Sequence, residues 1–418
     1  MTTPNASMAN LDPVQLDEKD SLRHMRQRFH LPEDVIYLDG NSLGPASHAA
    51  LAALKQAAHE EWAEGLIRSW NTAGWFNLPK TLGTRIAPLV GAAPEQLIVC
   101  DTVTLNLYKL LHAALTLRPG RRHIVAEASS FPTDLYIAQG VARHFPGVEL
   151  KLSGRDADTL EELIDEDTAV VLINHVDYRS GVLQNMAALT ATAHQAGALV
   201  VWDLCHSVGA MPIELDACQV DFAVGCTYKY LNGGPGAPAL AYVAHRHHSH
   251  LDQPLAGWWG HARPFDFETD FTPAPGVQSL QTSTQAMLSM RCLDGALSDW
   301  AEVDLQALRK KSLQLTQYFM DLVGARLSAY PLQCITPKEP KLRGSQVSIQ
   351  FEHAYPLVQA LIARGVIGDF RAPDVMRFGF TPLYLGFEDV ARAVDILQEL
   401  LETEAWQDPA YAVRQAVT

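Results

Sequence analysis

Between residues 97 and 245, short apolar and β-branched runs alternate with stretches of helical spacing. The runs are Leu97–Cys100, His123–Ala126, Val148–Leu152, Ala169–Ile173, Ala198–Trp202, Phe222–Val224 and Ala239–Val243. Several lack polar alternation, as strands buried on both faces of a sheet do. The pattern predicts an α/β fold, a largely parallel sheet flanked by helices. Right-handed crossovers would bring the strands' carboxyl ends, and any ligand crevice, to one side of it.

Outside this region the period changes. A polar arm and a short helix lead to about His30, and Val35–Leu38 reads as a short strand entering the turn-rich Asp39–Pro45. From Ser47 to about Gly65 the residues Leu51, Leu54, Ala58 and Trp62 recur at helical spacing and predict a helix packed by that face. The chain is aromatic and loop-rich from Leu255 to about Gln285. It then predicts a long helical region from about Ser283 to Leu322, broken near Asp294–Gly295. A closing α+β segment has strands at Ser345–Phe351 and Met376–Phe380 and helices at His353–Arg364 and Phe387–Ala405. The last of these carries Val390, Val394, Leu397 and Leu401 on one face. The expected organisation is an N-terminal arm with part of a small domain over 1–60, a large domain over 61–300 and a small α+β domain over 301–418.

Composition removes several classes. With 48% hydrophobic residues, 8 Trp, 12 Tyr and 14 Phe, the chain has the apolar surface to offset the entropy of ordering, so it is not a disordered chain. Its net charge of −15 opposes a nucleic-acid backbone, and the cationic stretches Arg23–Arg28, Arg118–Arg122 and Arg309–Lys311 are short, reading as solvated faces or turns. Six cysteines without a C-x-x-C pair suggest reduced thiols, neither a disulfide framework nor a zinc site. Met1–Asp20 has no apolar core of a signal peptide, and no run of about 18 apolar residues occurs. A cytoplasmic protein without membrane or nucleic-acid partners is expected.

The residues with chemistry sit at strand ends. Asp203 closes the run Ala198–Trp202, and Lys229 follows Phe222–Val224, just before Asn232-Gly233-Gly234-Pro235-Gly236. In a parallel sheet these ends are neighbours. A carboxylate and an amine at one crevice suit pyridoxal phosphate: the amine anchors the cofactor, and the carboxylate keeps the pyridine nitrogen protonated. An Asp after a strand also caps helices, so Asp203 has that second reading. Asp101–Asn106 opens a helix with Leu105, Tyr108, Leu111 and Leu115 on one face. There Val103 and Thr104 would offer N–H groups and a hydroxyl to a phosphate, although plain capping explains the same residues. No dinucleotide or Walker fingerprint is present. His245–His250 lacks a carboxylate at ligand spacing, which favours a turn over a metal site.

Almost the whole chain resembles the kynureninases, pyridoxal-phosphate enzymes of the fold type I, aminotransferase-like class. The resemblance rests on Tyr37–Gly44, Phe131-Pro132-Thr133-Asp134, Trp202–Gly209, Tyr228-Lys229-Tyr230-Leu231-Asn232, Gly257-Trp258-Trp259-Gly260-His261 and Arg377–Phe380. It implies hydrolysis of the Cβ–Cγ bond of L-kynurenine, or of 3-hydroxykynurenine, to anthranilate or 3-hydroxyanthranilate and L-alanine. By resemblance, Lys229 holds the cofactor and moves the Cα proton, Asp203 pairs with the pyridinium nitrogen and Phe131 stacks on the ring. Asp134 and His206 match positions around the cofactor, and Val103, Thr104, Tyr228 and Trp258 match positions that bind its phosphate. Thr284 matches a phosphate-binding position supplied by the partner subunit, which implies a homodimer with shared sites.

Tyr228 is the candidate acid–base group at the γ-carbonyl or Cβ, with a phosphate ligand alone as its other reading. Arg377 is the candidate for the substrate α-carboxylate, against a structural ion pair with Asp369 or Asp374. Trp70 and Trp258 are candidates to flank the substrate ring, against core packing, and Asn41 and Ser42 complete the substrate-side set. A class V aminotransferase and a cysteine desulfurase are the competing enzymes, and a non-catalytic cofactor-binding regulator is the competing class. No cysteine sits in an obviously exposed Gly/Ser-rich loop, against the desulfurase. Intact Lys229, Asp203 and Tyr228 count against the regulator.

Overall fold

The seven apolar runs pair into one sheet in the computed structural model of the chain, which describes residues 7–154 and 159–415. The first six residues of the expected N-terminal arm lie outside the described residues. The chain divides into two compact units, a larger one of residues 49–178 and 184–298 and a smaller one of residues 1–48, 179–183 and 299–418.

In the larger unit the strands are β1 (Leu97–Val99), β2 (His123–Glu127), β3 (Glu149–Ser153), β4 (Thr168–Asn174), β5 (Leu199–Asp203), β6 (Phe222–Gly225) and β7 (Leu240–Val243). Their spatial order is β1-β7-β6-β5-β4-β2-β3. The pairs β2–β3, β2–β4, β4–β5 and β5–β6 are parallel, and β7 runs antiparallel between β6 and β1. Every residue of β4, β5 and β6 is buried, which accounts for the missing polar alternation.

The longer helices of this part of the chain are α1 (His48–Gln56), α2 (Leu78–Ile86), α3 (Val103–Thr116), α4 (Pro132–Ala142), α5 (Met186–Gln195) and α6 (Met287–Ser298). Helix α3 packs on both the sheet and α4, so its buried stripe is Leu107, Leu110, Leu111, Ala114 and Leu115. That corrects the expected face, because Leu105 in the first turn is exposed.

Two further expectations fail for a related reason. Leu51 and Trp62 at the ends of the predicted stripe are exposed and Leu54 and Ala58 only half-buried, whereas Ala50, Ala57 and Glu61 are buried, in a helix that continues past α1 with wider turns over Ala57–Glu64. The predicted break at Asp294–Gly295 is absent, because α6 runs unbroken through both residues. A Cβ at Gly295 would lie 2.5 Å from the Ala49 carbonyl, so this glycine permits close backbone approach between α1 and α6. The interruption falls instead between Ser298 and the Asp304 side chain, which caps the next helix through Gln306 N.

The smaller unit holds α7 (Leu305–Arg326), α8 (Ala354–Ala363) and α9 (Phe387–Glu402) beside an antiparallel sheet. Its strands are β8 (Gln333–Cys334), β9 (Gln346–Gln350), β10 (Asp369–Arg371) and β11 (Val375–Gly379), in the order β10-β11-β9-β8. Ile36 and Tyr37 pair in parallel with Val366 and Ile367, which carries the following Asp39–Ser42 turn to β11. There Gly379 N donates to Leu38 O at 2.6 Å. A Cβ at Gly379 would meet Asn41 at 2.1 Å. On α9, Val390, Val394, Leu397 and Leu401 are all buried. Among the described residues, no helix is long and apolar enough to cross a membrane.

Two of the cationic stretches are not solvated faces. Arg118 and Arg121 donate to the carbonyls of Gly197, Thr168 and Ala196, and Arg309 donates to those of Gly344, Pro340 and Arg343. All six cysteines are free thiols.

Asp221, only 1% exposed at the start of β6, ties several elements of the larger unit together. It accepts from Val200 N of β5 at 2.9 Å, His194 of α5 at 2.8 Å, and Arg246 and His247 at 2.7 Å each. Burial alone would raise its pKa, but hydrogen bonds from the two histidines and the Arg246 charge outweigh that and hold it well below the usual carboxylate range. A group with a depressed folded pKa stabilises above its unfolded pKa and loses that contribution as pH falls through the folded value. Asp221→Ala should therefore cost about 3–5 kcal/mol at neutral pH, measured by denaturant unfolding. The gap to wild type should narrow below about pH 4; a loss under about 1 kcal/mol would contradict this role.

Candidate active site

In the larger unit, β4, β5 and β6 end level. Asn174 is in register with Asp203, and Asp203 with Val224. Asp203 is 5% exposed. Its Oδ1 accepts from Cys205 N at 2.7 Å and its Oδ2 from Asn174 Nδ2 at 3.0 Å. The following residues form turns, with Ser207 N and Val208 N both donating to Leu204 O, so the helix-cap reading of Asp203 falls. Two residues beyond that turn's start, His206 Nε2 lies 3.0 Å from Lys229 Nζ. The Lys229 loop is pinned by Thr227, whose hydroxyl donates to Pro238 O at 2.6 Å and whose carbonyl accepts from Gly233 N at 2.9 Å. Asn232 takes a left-handed φ of 57°, a conformation asparagine tolerates well.

Asn174 is a residue the sequence reading missed. Its amide nitrogen donates to Asp134 Oδ2 at 2.7 Å as well as to Asp203, and its oxygen accepts from Phe131 N at 3.1 Å. One side chain thus orients three of the expected cofactor residues. The available signal was a polar residue closing an apolar run at a strand's carboxyl end. Burial, then the neighbouring Asp203 charge, holds the Asp134 carboxyl well above the usual range, and its Oδ1 is buried without a hydrogen-bond partner. Burial likewise pushes the Tyr228 phenol above its ordinary value, reinforced by Cys226, Cys205 and Asp203, so it keeps its proton.

The other candidates of this unit stand on separate segments. Val103 and Thr104 form the first turn of α3, where Thr102 caps by accepting from Leu105 N at 3.3 Å. Trp70 and Trp258 both pack on Trp259, with ring centroids 5.1 and 4.5 Å apart respectively, and Trp258 is partly exposed. Phe131 is exposed and meets Tyr178 edge-on. Thr284 is exposed. His247 of the histidine cluster serves Asp221, and among the described residues no group of three His, Cys, Asp or Glu is placed to hold a metal ion.

In the smaller unit, Arg377 is 1% exposed and pairs with Asp369 through Nε at 2.8 Å and Nη2 at 2.5 Å. Ser42 Oγ accepts from Arg377 at 2.8 Å and donates to Asp369 at 2.7 Å, and Asn41 is buried beside Gln346 at 3.4 Å. The ion pair with Asp369 considered from sequence is therefore present. Asp374 instead accepts from Arg179 and Gln350. Asp39 adds a second carboxyl here: burial, then the charge of Asp369, push it up to about 7 against the opposing influence of Ser42 and Arg377.

Asp39 binds its proton more tightly folded than unfolded. Its contribution to stability is fully present below the ordinary carboxylate pKa and is lost as pH rises to about 7. Asp39→Asn should gain stability relative to wild type steadily between about pH 4 and about pH 7, followed as Tm across buffers. A constant difference over that window would show that Asp39 ionises normally.

Two family models match the chain: the kynureninase C-terminal domain over residues 308–397 and the DegT/DnrJ/EryC1/StrS aminotransferase family over residues 68–222. A kynureninase of Burkholderia mallei (strain SAVP1) is 51% identical over 412 residues, 97% of this chain and 99% of the relative. One from Pseudomonas fluorescens is 48% identical over 426 residues, covering both chains fully at 100%. Among solved structures, an apo cysteine desulfurase from Thermococcus onnurineus NA1 aligns with a TM-score of 0.77 at 17% identity, covering 91% of this chain and 98% of that one. A C-DES mutant with glycine covalently linked to the PLP cofactor aligns at 0.76 and 17% identity, covering 89% and 98%. At that identity these two likenesses describe the fold alone.

Proposed function

The chain belongs to the kynureninase family, and from that premise we propose that it is a pyridoxal-phosphate enzyme hydrolysing L-kynurenine to anthranilate and L-alanine. The observation that carries the reading is Lys229 Nζ at 3.0 Å from His206 Nε2, beside the buried Asp203 at the end of the neighbouring strand. The residues fit the cofactor. They offer an amine to anchor it, a carboxylate for its ring nitrogen, a buried Asp134 oxygen without a partner, and a helix first turn whose N–H groups suit a phosphate.

When bound, the cofactor withdraws electrons from the substrate's α-carbon. Lys229 removes the proton at Cα, and Asp203, held by Asn174 and Cys205 N, keeps the ring nitrogen protonated. Water adds at the γ-carbonyl, and the Cβ–Cγ bond then breaks with the added hydroxyl kept on the aryl fragment as anthranilate; one proton reaches Cβ, and Lys229 returns one to Cα of the alanine fragment. Tyr228, with its proton retained by burial, is the donor at Cβ. Arg377 takes the substrate carboxylate, with Ser42 and Asn41 beside it, and Trp70 and Trp258 flank the ring. Thr284 serves the partner's cofactor in a homodimer. That assembly accords with the exposed large apolar side chains of Leu51, Trp62, Leu66 and Ile67, which a partner subunit would cover.

Purified protein should show visible absorbance that borohydride bleaches, and Lys229→Ala should lose it; retention in the variant would overturn the anchoring role. Kynurenine should yield anthranilate and alanine in equal amounts, whereas keto-acid-dependent amino transfer without anthranilate would favour an aminotransferase. Arg377→Lys should raise KM by about tenfold or more with a smaller effect on kcat, because a lysine cannot pair bidentately with a carboxylate. Mixing Lys229→Ala with Thr284→Ala chains should partly restore one intact site, and no recovery would count against sharing.

A further inference from the structure

Lys109 is fully buried in α3, between the buried Leu107 and Leu110, and the chemistry above does not use it. Its Nζ donates to Asp101 Oδ2 at 2.8 Å and to Leu280 O at 2.6 Å, and lies 3.7 Å from Cys100 Sγ. A buried ammonium is expensive unless paired, and a methionine of similar length would fill the same space without that penalty. The charge therefore points to a task other than packing.

Asp101 precedes the α3 cap residue Thr102 and adopts φ +48°, rare for a residue with a side chain. Every polar group it has is held. Its N–H donates to Gln285 Oε1 at 3.0 Å, its carbonyl accepts from Ala239 N at 3.0 Å, and its Oδ1 accepts from Thr282 at 3.0 Å. Thr282, Gln285 and Leu280 belong to the segment that carries Thr284.

We propose that Lys109 is a positioning residue for the cofactor phosphate: it offsets the charge of Asp101 beneath the first turn of α3 and locks that turn to segment 280–285. The proposal rests on the cofactor reading above. An uncompensated carboxylate two residues before Val103 would repel an incoming phosphate dianion, whereas the neutral Asp101–Lys109 pair leaves the helix terminus attractive to it. Because Thr282 and Gln285 flank Thr284, the same pair fixes the segment proposed to reach the partner's phosphate.

The test strips cofactor from the holoenzyme and titrates it back, by visible absorbance, with pyridoxal 5'-phosphate or with pyridoxal, which lacks the phosphate. Lys109→Met should weaken the phosphorylated cofactor by about tenfold or more and pyridoxal by less than about twofold. The double variant Asp101→Asn with Lys109→Met removes both charges. Asparagine keeps the positive φ and the Thr282 bond, so affinity should return to within about threefold of wild type. Equal weakening of both ligands, unchanged affinity, or a double variant as poor as Lys109→Met would overturn the proposal. If Lys109→Met does not fold, Asp101→Asn decides: it leaves the buried ammonium unmatched, so it should tighten the phosphorylated cofactor by about threefold or more with pyridoxal unchanged, and an unchanged or weakened phosphate affinity would overturn the proposal. Wild-type protein that binds neither ligand would instead refute the cofactor reading itself.

Discussion

Asn174 donates to Asp134 and to Asp203 at once, and this shared amide lets two carboxyl groups sit together at the ends of buried strands. Removing two carboxylates from water beside each other is costly, and the cost is contained in two ways here. Asp134 is pushed toward its neutral form, and Asp203 spends its oxygens on Asn174 and the Cys205 amide. The carbonyl of the same Asn174 side chain holds the backbone of Phe131. Since β4, β5 and β6 are parallel and end level, fixing Asn174 fixes the height of Asp203 and of the loop that brings Lys229 to His206.

The aspartates of this chain show how surroundings decide chemistry. Asp221 is buried in the core, yet two histidines and an arginine keep it ionised, and it acts as a clasp between β5, α5 and the turn after β7. Asp39 is less deeply buried and faces another carboxylate, and its proton is retained to about 7. Asp101 is matched by a single buried lysine just before the first turn of α3. Residue type is identical in all of these; the sign of the nearest charge differs.

Legibility in the sequence followed the range of the interaction. The seven strands were readable because uninterrupted β-branched runs buried on two faces leave a local signature, and α9 was readable because Val390, Val394, Leu397 and Leu401 form one continuous buried stripe. Two other helix faces were not. Helix α3 packs on a sheet and on α4, so Leu105 was wrongly placed inside and Leu107 overlooked. The helix after Ser47 packs through alanines against Gly295, a contact that small residues permit and that hydrophobic period alone does not rank. Asp203 read equally as a cap until the turns after it were seen.

The amino-acid sequence by itself determined the α/β class, the strand positions and the placement of Asp203 and Lys229 at strand ends, because each depends on runs of a few consecutive residues. It also carried the family, through motifs spread along almost the whole chain. Only the tertiary structure decided that Asn174 joins Asp134 to Asp203, that Arg377 is already paired with Asp369, and that Lys109 meets Asp101 and Leu280. Those contacts join residues far apart in the chain whose types are individually ordinary. Burial and distance, which give them their charge states, come into being only when strands and helices pack.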